Sequence, residues 1–380
     1  MRLGKHMAFC GIDARTERTR KQVNYPETYD LIFQRLRREF SAAKGQIRHL
    51  ILLLGVPIAY PRLAWLENIL SSPVIAPIKL LNKRFGFAGS FFNKFDGKVD
   101  LLDDLDDHYT ARHHKHERKE LVLRLQELSK EFSIRITILG GDVHLAALGR
   151  FYSAPKLRIP AEQDHRYMAN IISSAITNKP PPAAVANLLA RRNRIHHLKD
   201  NATDETLMGL FDKQPGGKLK GAEWNKCTMP SRNYATITEV ASTPETQNEE
   251  ALPSSGINEV HAGEADHDPQ RFLGHDGHST LHRGEEGAGT QHPAADGVSS
   301  RSRMIGGLDV SLRVEIDNRD KRGATEGYGF SSEFLPTVID DGHADVADYS
   351  SSTCRLPERH MMELRPLEHL FQSYADQQTQ

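Results

Sequence analysis

Residues 134–149 read Ile-Arg-Ile-Thr-Ile-Leu-Gly-Gly-Asp-Val-His-Leu-Ala-Ala-Leu-Gly. Ile134, Ile136 and Ile138 alternate with Arg135 and Thr137, the period-two pattern of a half-buried strand. The pair Gly140-Gly141 permits a sharp turn at its end. Asp142 and His144 follow at once, a hard oxygen donor and an imidazole spaced to face the same way in an extended segment. A strand end that delivers Asp-x-His into a loop is a common source of metal ligands. The plainer alternative is a capping aspartate and a surface histidine, and the residues alone leave both open.

Working outward, residues 25–40 carry Tyr29, Ile32, Phe33, Leu36 and Phe40 at helical spacing. A strand over 50–54 follows across a short Gly45 loop. The rhythm repeats when a helix over 116–132 leads into the Ile134 strand. Such alternation predicts an α/β layer architecture with largely parallel strands. Further strands are expected at 8–12, 167–173 and 233–240, and a helix over 183–195 that ends on Arg191, Arg192 and Arg194. The cleanest alternation is 308–316, which is expected to pair with 233–240. Between them, 241–303 is rich in Gly, Ser, Glu, Thr and His and nearly free of aromatics, the composition of disorder. The apolar stretch 65–95, broken by Pro73, Pro77, Gly86 and Gly89, reads as a lid, a partner surface or a packed insertion. Beyond about Leu335 disorder is expected again, apart from a short helix over 357–374.

Composition narrows the classes. The 380 residues are 38% hydrophobic, below the globular norm of about 45–50%, with the deficit in the last third. A net charge of −1 gives no global argument for nucleic acid or an anionic membrane. Cys10, Cys227 and Cys354 are too few and too scattered for a disulfide framework, which favours a reducing compartment. The apolar run 50–60 contains Gly55 and Pro57 and falls far short of the ~20 residues of a membrane helix. Residues 7–12 are too short for an export signal.

Two other clusters carry chemistry. Residues 100–109, Asp-Leu-Leu-Asp-Asp-Leu-Asp-Asp-His-Tyr, crowd carboxylates that repel one another unless cations or donors sit among them. They read either as an acidic entry to the 116–132 helix or as metal-facing groups beside Asp142 and His144. Residues 13–20, with Arg15, Arg18 and Arg20, read as a solvated loop paired with Glu17 or as a phosphate-binding fork.

These stretches resemble the PhoD-like metallophosphatases, in particular a fungal branch described as membrane-associated. The matching elements are Ile12-Asp13-Ala14-Arg15, Gly55-Val-Pro-Ile-Ala-Tyr60, the run from Phe95 to Tyr109, Glu117-Arg118, Gly140-Gly-Asp-Val-His144, Ser173-Ser-Ala-Ile-Thr-Asn178 and the strand 308–316. The resemblance implies a calcineurin-like metallophosphoesterase sandwich, two sheets flanked by helices, with metals at strand ends. It implies Asp142 and His144 as metal ligands, and Asp107, Tyr109 and Arg118 as pocket residues or their supports. The implied activity is hydrolysis of a phosphate ester by a metal-bound hydroxide, with calcium and iron as the family's ions and no nucleic acid as partner. Cytoplasmic location, with peripheral membrane association and no transmembrane segment, is implied as well.

The early Asp or Cys, the Gly-Asp-x-x-Tyr/Asp segment and the Asn that family members place in the first half of the domain are not in this sequence. The domain is therefore expected to be N-terminally incomplete. Its organisation is expected as 1–240 for its C-terminal part, 241–305 for a disordered insertion, 306–332 for a returning strand and 333–380 for a mostly disordered tail. An alternative function follows, a truncated, non-catalytic metallophosphatase-like binding or structural module.

Overall fold

A computed structural model describes residues 1–61, 108–191, 193–198, 202–217, 224–240, 282, 285, 287–297 and 307–332. Expectations for 65–95, 100–107, most of 241–306 and 333–380, Asp107 among them, lie outside these residues.

The chain opens with a short hairpin, β1 (Arg2–Leu3) and β2 (Met7–Gly11). Helix α1 (Pro26–Ala43) starts on a proline whose fixed φ suits the first helical turn. It buries Tyr29, Phe33, Leu36, Phe40 and Ala43 and stops at Lys44, which adopts a left-handed φ of 48°. Strand β3 (His49–Gly55) follows. Helix α2 (Lys115–Phe132) buries Leu121, Val122, Leu125 and Leu128 and leads into β4 (Arg135–Gly140). Next come β5 (Ala146–Ser153), β6 (Met168–Ile172), α3 (Ala183–Arg191), β7 (His196–His197), β8 (Thr203–Leu207) and β9 (Thr228–Met229). The last three strands are β10 (Asn233–Glu239), β11 (Leu308–Glu315) and β12 (Thr325–Ser332).

The large sheet runs β1-β2-β3-β4-β6-β5-β8-β7, with β9 paired to β5. Strands β2, β3, β4 and β6 are parallel, whereas β5, β7, β8 and β9 pair antiparallel. The largely parallel sheet expected from the sequence is therefore parallel in one half only. Strand β5 explains why: all eight residues are buried, so it lacks the alternation that marks a one-sided strand. It reverses direction directly after the Asp142/His144 loop.

Side-chain alternation divides the large sheet into two faces. Leu50, Leu52, Leu54, Ile136 and Ile138 pack under α1 and α2, and α3 extends that cover over Leu145, Ala147 and Ile172. The opposite face carries Ile51, Leu148, Ala169 and Ile171. It meets Leu308, Val310, Leu312, Val314, Tyr328 and Phe330 of a three-stranded sheet ordered β10-β11-β12. Residues 233–239 pair with 308–315 over their whole length, as their matched alternation predicts. The result is an α/β unit in which one sheet is covered by helices on one side and by a second sheet on the other.

Part of the polar stretch expected to be disordered instead packs on this frame. A short turn over Pro293–Asp296 lies on the outer face of β12, where the Ala295 carbonyl accepts from Ser311 Oγ at 2.7 Å. A Cβ on Gly329 would come within 2.3 Å of Ala295 N, so only glycine admits this approach. Farther back, Glu285 forms an ion pair with fully buried Arg150 and accepts from Tyr167 Oη at 2.7 Å. Composition conceals these residues because small and polar side chains also serve close backbone packing.

Candidate functional site

In an open sheet with parallel strands, the loops at the carboxyl ends form the natural ligand crevice. Here those loops are 12–25 after β2, 56–61 after β3, 141–145 after β4 and 173–182 after β6. They combine polar contacts with apolar anchors such as Ile12, Val23, Ile58 and Leu145 in the core.

The first loop is shaped from within by its own carboxylates. Asp13 accepts from the backbone of Arg15 at 2.8 Å and of Thr16 at 3.0 Å. The Thr16 hydroxyl and then these amides hold its carboxyl below the usual range. Glu17 accepts from Tyr25 N at 2.8 Å and Thr28 Oγ1 at 2.7 Å, so it braces the start of α1 instead of pairing with the arginines, as the solvated-loop reading had it. From the first turn of α2, Glu117 accepts from Val23 N at 2.7 Å, Asn24 N at 2.9 Å and Tyr29 Oη at 2.7 Å. The acids of the loop thus face its backbone, and Arg15, 67% exposed, faces the crevice.

The loop after β4 is strained. Asp142 and His144 take φ values of 69° and 53°, left-handed conformations that are uncommon outside glycine. Asp142 Oδ1 lies 3.9 Å from Arg15 Nη2, and Oδ2 lies 3.6 Å from Nε2 of fully buried His108. That contact is longer than a hydrogen bond, and among the described residues neither ring nitrogen of His108 has a hydrogen-bond partner. The His108 imidazole nevertheless holds the Asp142 carboxyl below its ordinary range, aided by Arg15 and Arg18 and opposed by burial. His144 N donates to Ser174 Oγ at 3.2 Å, and Asn178 Nδ2 donates to His144 Nε2 at 3.0 Å.

The loop after β6 is fixed from the second sheet. Asn233, the first residue of β10, accepts from Ser173 Oγ at 3.0 Å and Ser174 N at 3.1 Å, and its amide donates back to the Ser174 carbonyl. Asn170 on β6 accepts from Ile58 N and Ala59 N at 3.1 and 3.0 Å, which positions the loop after β3. Neither asparagine carries a sequence signal: Asn233 begins β10 and Asn170 lies in the middle of β6.

The sequence candidates therefore separate. Asp142, His144 and Arg15 stand at the crevice, joined by His108, which the sequence reading passed over as one residue of an acidic run. Tyr109 is fully buried and shares a 3.1 Å hydrogen bond with Tyr29 Oη, which in turn donates to Glu117. Burial pushes the Tyr109 hydroxyl pKa well up. Arg118 is also buried: its Nε donates to Ile58 O at 2.8 Å and its guanidinium pairs with Glu205. Arg118 thus reaches the loop after β3 through Ile58, whereas Tyr109 is joined to Tyr29 of α1. A separate small pocket, lined in part by Tyr60, Arg194, His196 and Glu205, includes neither Asp142 nor His144 in its walls.

Among the described residues no three His, Cys, Asp or Glu side chains are placed together to hold a metal ion. Asp142, His144 and His108 are suitable donor types, but they do not make a metal centre by themselves. No helix among the described residues is long and apolar enough to cross a membrane.

A mixed α/β unit with polar loops gathered at the carboxyl ends of its parallel strands offers the usual position for a ligand crevice in such sheets. The sequence profile of the PhoD related phosphatases matches residues 1–79 and 75–264, and the chain belongs to that family. An uncharacterised protein of Saccharomyces cerevisiae is 46% identical over 251 residues, covering 62% of this chain and 35% of the yeast protein. The chain spans about a third of that relative's length. A solved structure of PhoD aligns with 47% of this chain and 28% of its own, at 10% identity and a TM-score of 0.26, a likeness too slight to argue from.

Proposed function

We propose that the carboxyl-end loops bind the phosphoryl group of a phosphate ester, as part of a metal-dependent phosphoesterase on a calcineurin-like sandwich. The observation that supports this reading is the meeting of Arg15, His108 and Asp142 at the carboxyl ends of parallel strands, in a chain of the PhoD-related family. A guanidinium offers phosphate oxygens paired, charge-assisted hydrogen bonds. His108 is buried, and among the described residues neither ring nitrogen has a hydrogen-bond partner, so its ring is a candidate hydrogen-bonding group for a ligand in the crevice. Asp142 and His144 are the metal-side donors of this proposal, and Asp107, outside the described residues, is kept as a pocket residue or its support. Tyr109 and Arg118 are positioning residues for loops 12–25 and 56–61. The described residues do not complete the ligand set, so no hydrolytic step is drawn through a metal.

That incompleteness favours a second reading, a phosphate-binding module without turnover. One experiment separates them. Metal content of the purified chain is measured by elemental mass spectrometry beside D142A/H144A, and inorganic phosphate binding by calorimetry beside R15A. About two ions per chain, the number of a two-metal hydrolytic site, lost in D142A/H144A together with phosphate binding lost in R15A, support the enzyme. Phosphate binding that needs Arg15 with no stoichiometric metal supports the module. Phosphate binding that is absent, or unchanged in R15A, overturns both.

A further inference from the structure

Sheet edges that could pair with another chain are normally shortened, covered or charged. Among the described residues, the large sheet ends in β1 and β7, each only two residues long. In the small sheet, the outer edge of β12 is joined by Gly289, which donates to Gly329 O at 3.0 Å and accepts from Gly329 N at 2.9 Å. Strand β10 has no such protection. It runs for seven residues in unbroken register with β11, without proline or lysine, and its one charged residue is Glu239 at the end.

The hydrogen-bond alternation fixes what this edge offers. Glu315 N donates to Arg232 O and Val240 N donates to Gly307 O, so the even-numbered residues between them turn their backbone groups toward β11. Asn233, Ala235, Ile237 and Glu239 turn theirs outward, where no backbone hydrogen bond to another described element meets them. Side chains are sorted as clearly. Tyr234, Thr236 and Thr238 are exposed, whereas Ala235 and Ile237 pack on the core between the sheets yet remain only half-buried.

A second copy of the strand complements this pattern. About a twofold axis at Thr236, antiparallel pairing sets Asn233 against Glu239, Tyr234 against Thr238, Ala235 against Ile237 and Thr236 against itself. Every outward amide and carbonyl from 233 to 239 then has a partner in the other copy. Ala235 and Ile237 continue the core on one face, and an aromatic side chain meets a β-branched one on the other. No like charges meet, because Glu239 lies opposite Asn233, whose preceding residue is Arg232.

We infer that β10 is a self-pairing edge, through which two copies of this chain join their three-stranded sheets into one continuous sheet. This interface is independent of the phosphate-site reading.

The test is sedimentation velocity of the whole chain across a wide range of concentration, where a monomer–dimer equilibrium is expected. Thr236 is exposed and faces its own copy across the axis, so T236K and T236E each place like charges together. Either substitution is expected to raise the dimer dissociation constant about tenfold or more, the scale of like charges opposed at an interface. An equimolar mixture of the two variants brings opposite charges together and regains dimers, which also shows that both are folded. Hydrogen exchange in the parent dimer is expected to gain protection at amides 233, 235, 237 and 239 and not at 234, 236 and 238, which already bond to β11. A monomer at every concentration overturns the inference. So does a dimer that T236K and T236E leave unchanged, or a mixture no more dimeric than its components.

Discussion

Glu117 reaches from the first turn of α2 to the backbone amide of Val23, 94 positions earlier in the chain, at 2.7 Å. With Asn24 N and Tyr29 Oη also donating to it, one carboxylate fastens the arginine-bearing loop to the helix behind it. Hydrogen bonds to a charged group are worth about 1.5–3 kcal/mol each when a buried partner is otherwise stranded. E117A is therefore expected to lower stability by about 2–4 kcal/mol on this scale and to free loop 12–25. Denaturant unfolding reads the first effect and amide exchange at residues 15–24 the second. Unchanged exchange there would remove Glu117 from its positioning role.

Arg118 and Glu205 are both buried, and each neutralises the other. Removing one partner leaves a charge in the interior, at a cost of about 3–5 kcal/mol, whereas replacing both with apolar groups is close to neutral. R118M is expected to be strongly destabilised and R118M/E205L to recover most of the loss. If R118M instead unfolds like the parent chain and phosphate binding alone falls, Arg118 touches the ligand directly.

The pKa of His165 is lowered to about 4, chiefly by burial and then by Arg166. Unfolded, it titrates near 6.5. Between these values the unfolded chain binds more protons than the folded one, so stability falls as pH drops from about 6.5 toward 4 and is fully present above that window. His282, also lowered by burial, adds in the same direction. Thermal melts of the parent chain and H165N across pH 4 to 7.5 check this. The parent is expected to lose about 1–3 kcal/mol that H165N retains, allowing for partial solvent screening. Parallel melting curves would exclude His165 as the source.

Gly327 and Gly329 let the 293–296 turn lie against β12: an added Cβ would stand 1.8 Å from Ala295 O and 2.3 Å from Ala295 N respectively. G329V is expected to lift the turn off the small sheet. Limited proteolysis within 287–297 is expected to quicken, with a stability loss of about 1–3 kcal/mol, the scale of overpacking. An unchanged cleavage pattern would show that the turn contributes no protection.

Much of the frame was legible in the chain. Tyr29, Phe33, Leu36 and Phe40 announced α1 through helical spacing, and the matched alternation of 233–239 and 308–315 announced their pairing across a long intervening stretch. What escaped was structure without periodicity. Strand β5 is buried on both faces, and β8 buries Thr203, Asp204, Glu205 and Thr206, so neither shows a polar side. At the site, Asp142 and His144 stood out because glycines and a strand preceded them. His108 did not, because its environment is made by residues far off in sequence. Asn233 and Asn170 were invisible for the same reason: their importance lies in which loop they face.

The ion pair between Arg150 and Glu285 joins residues 135 positions apart. Closing so long a loop carries an entropic cost that local contacts do not repay. The carboxylate that meets Arg150 therefore reaches the sheet late, both on the ribosome and during refolding from denaturant. Until it does, Arg150 and Tyr167 are expected to lack the Glu285 contacts they have in the finished molecule. Refolding is expected to be limited by this distant arrival rather than by formation of the parallel core, which gives the chain a slow final phase of assembly.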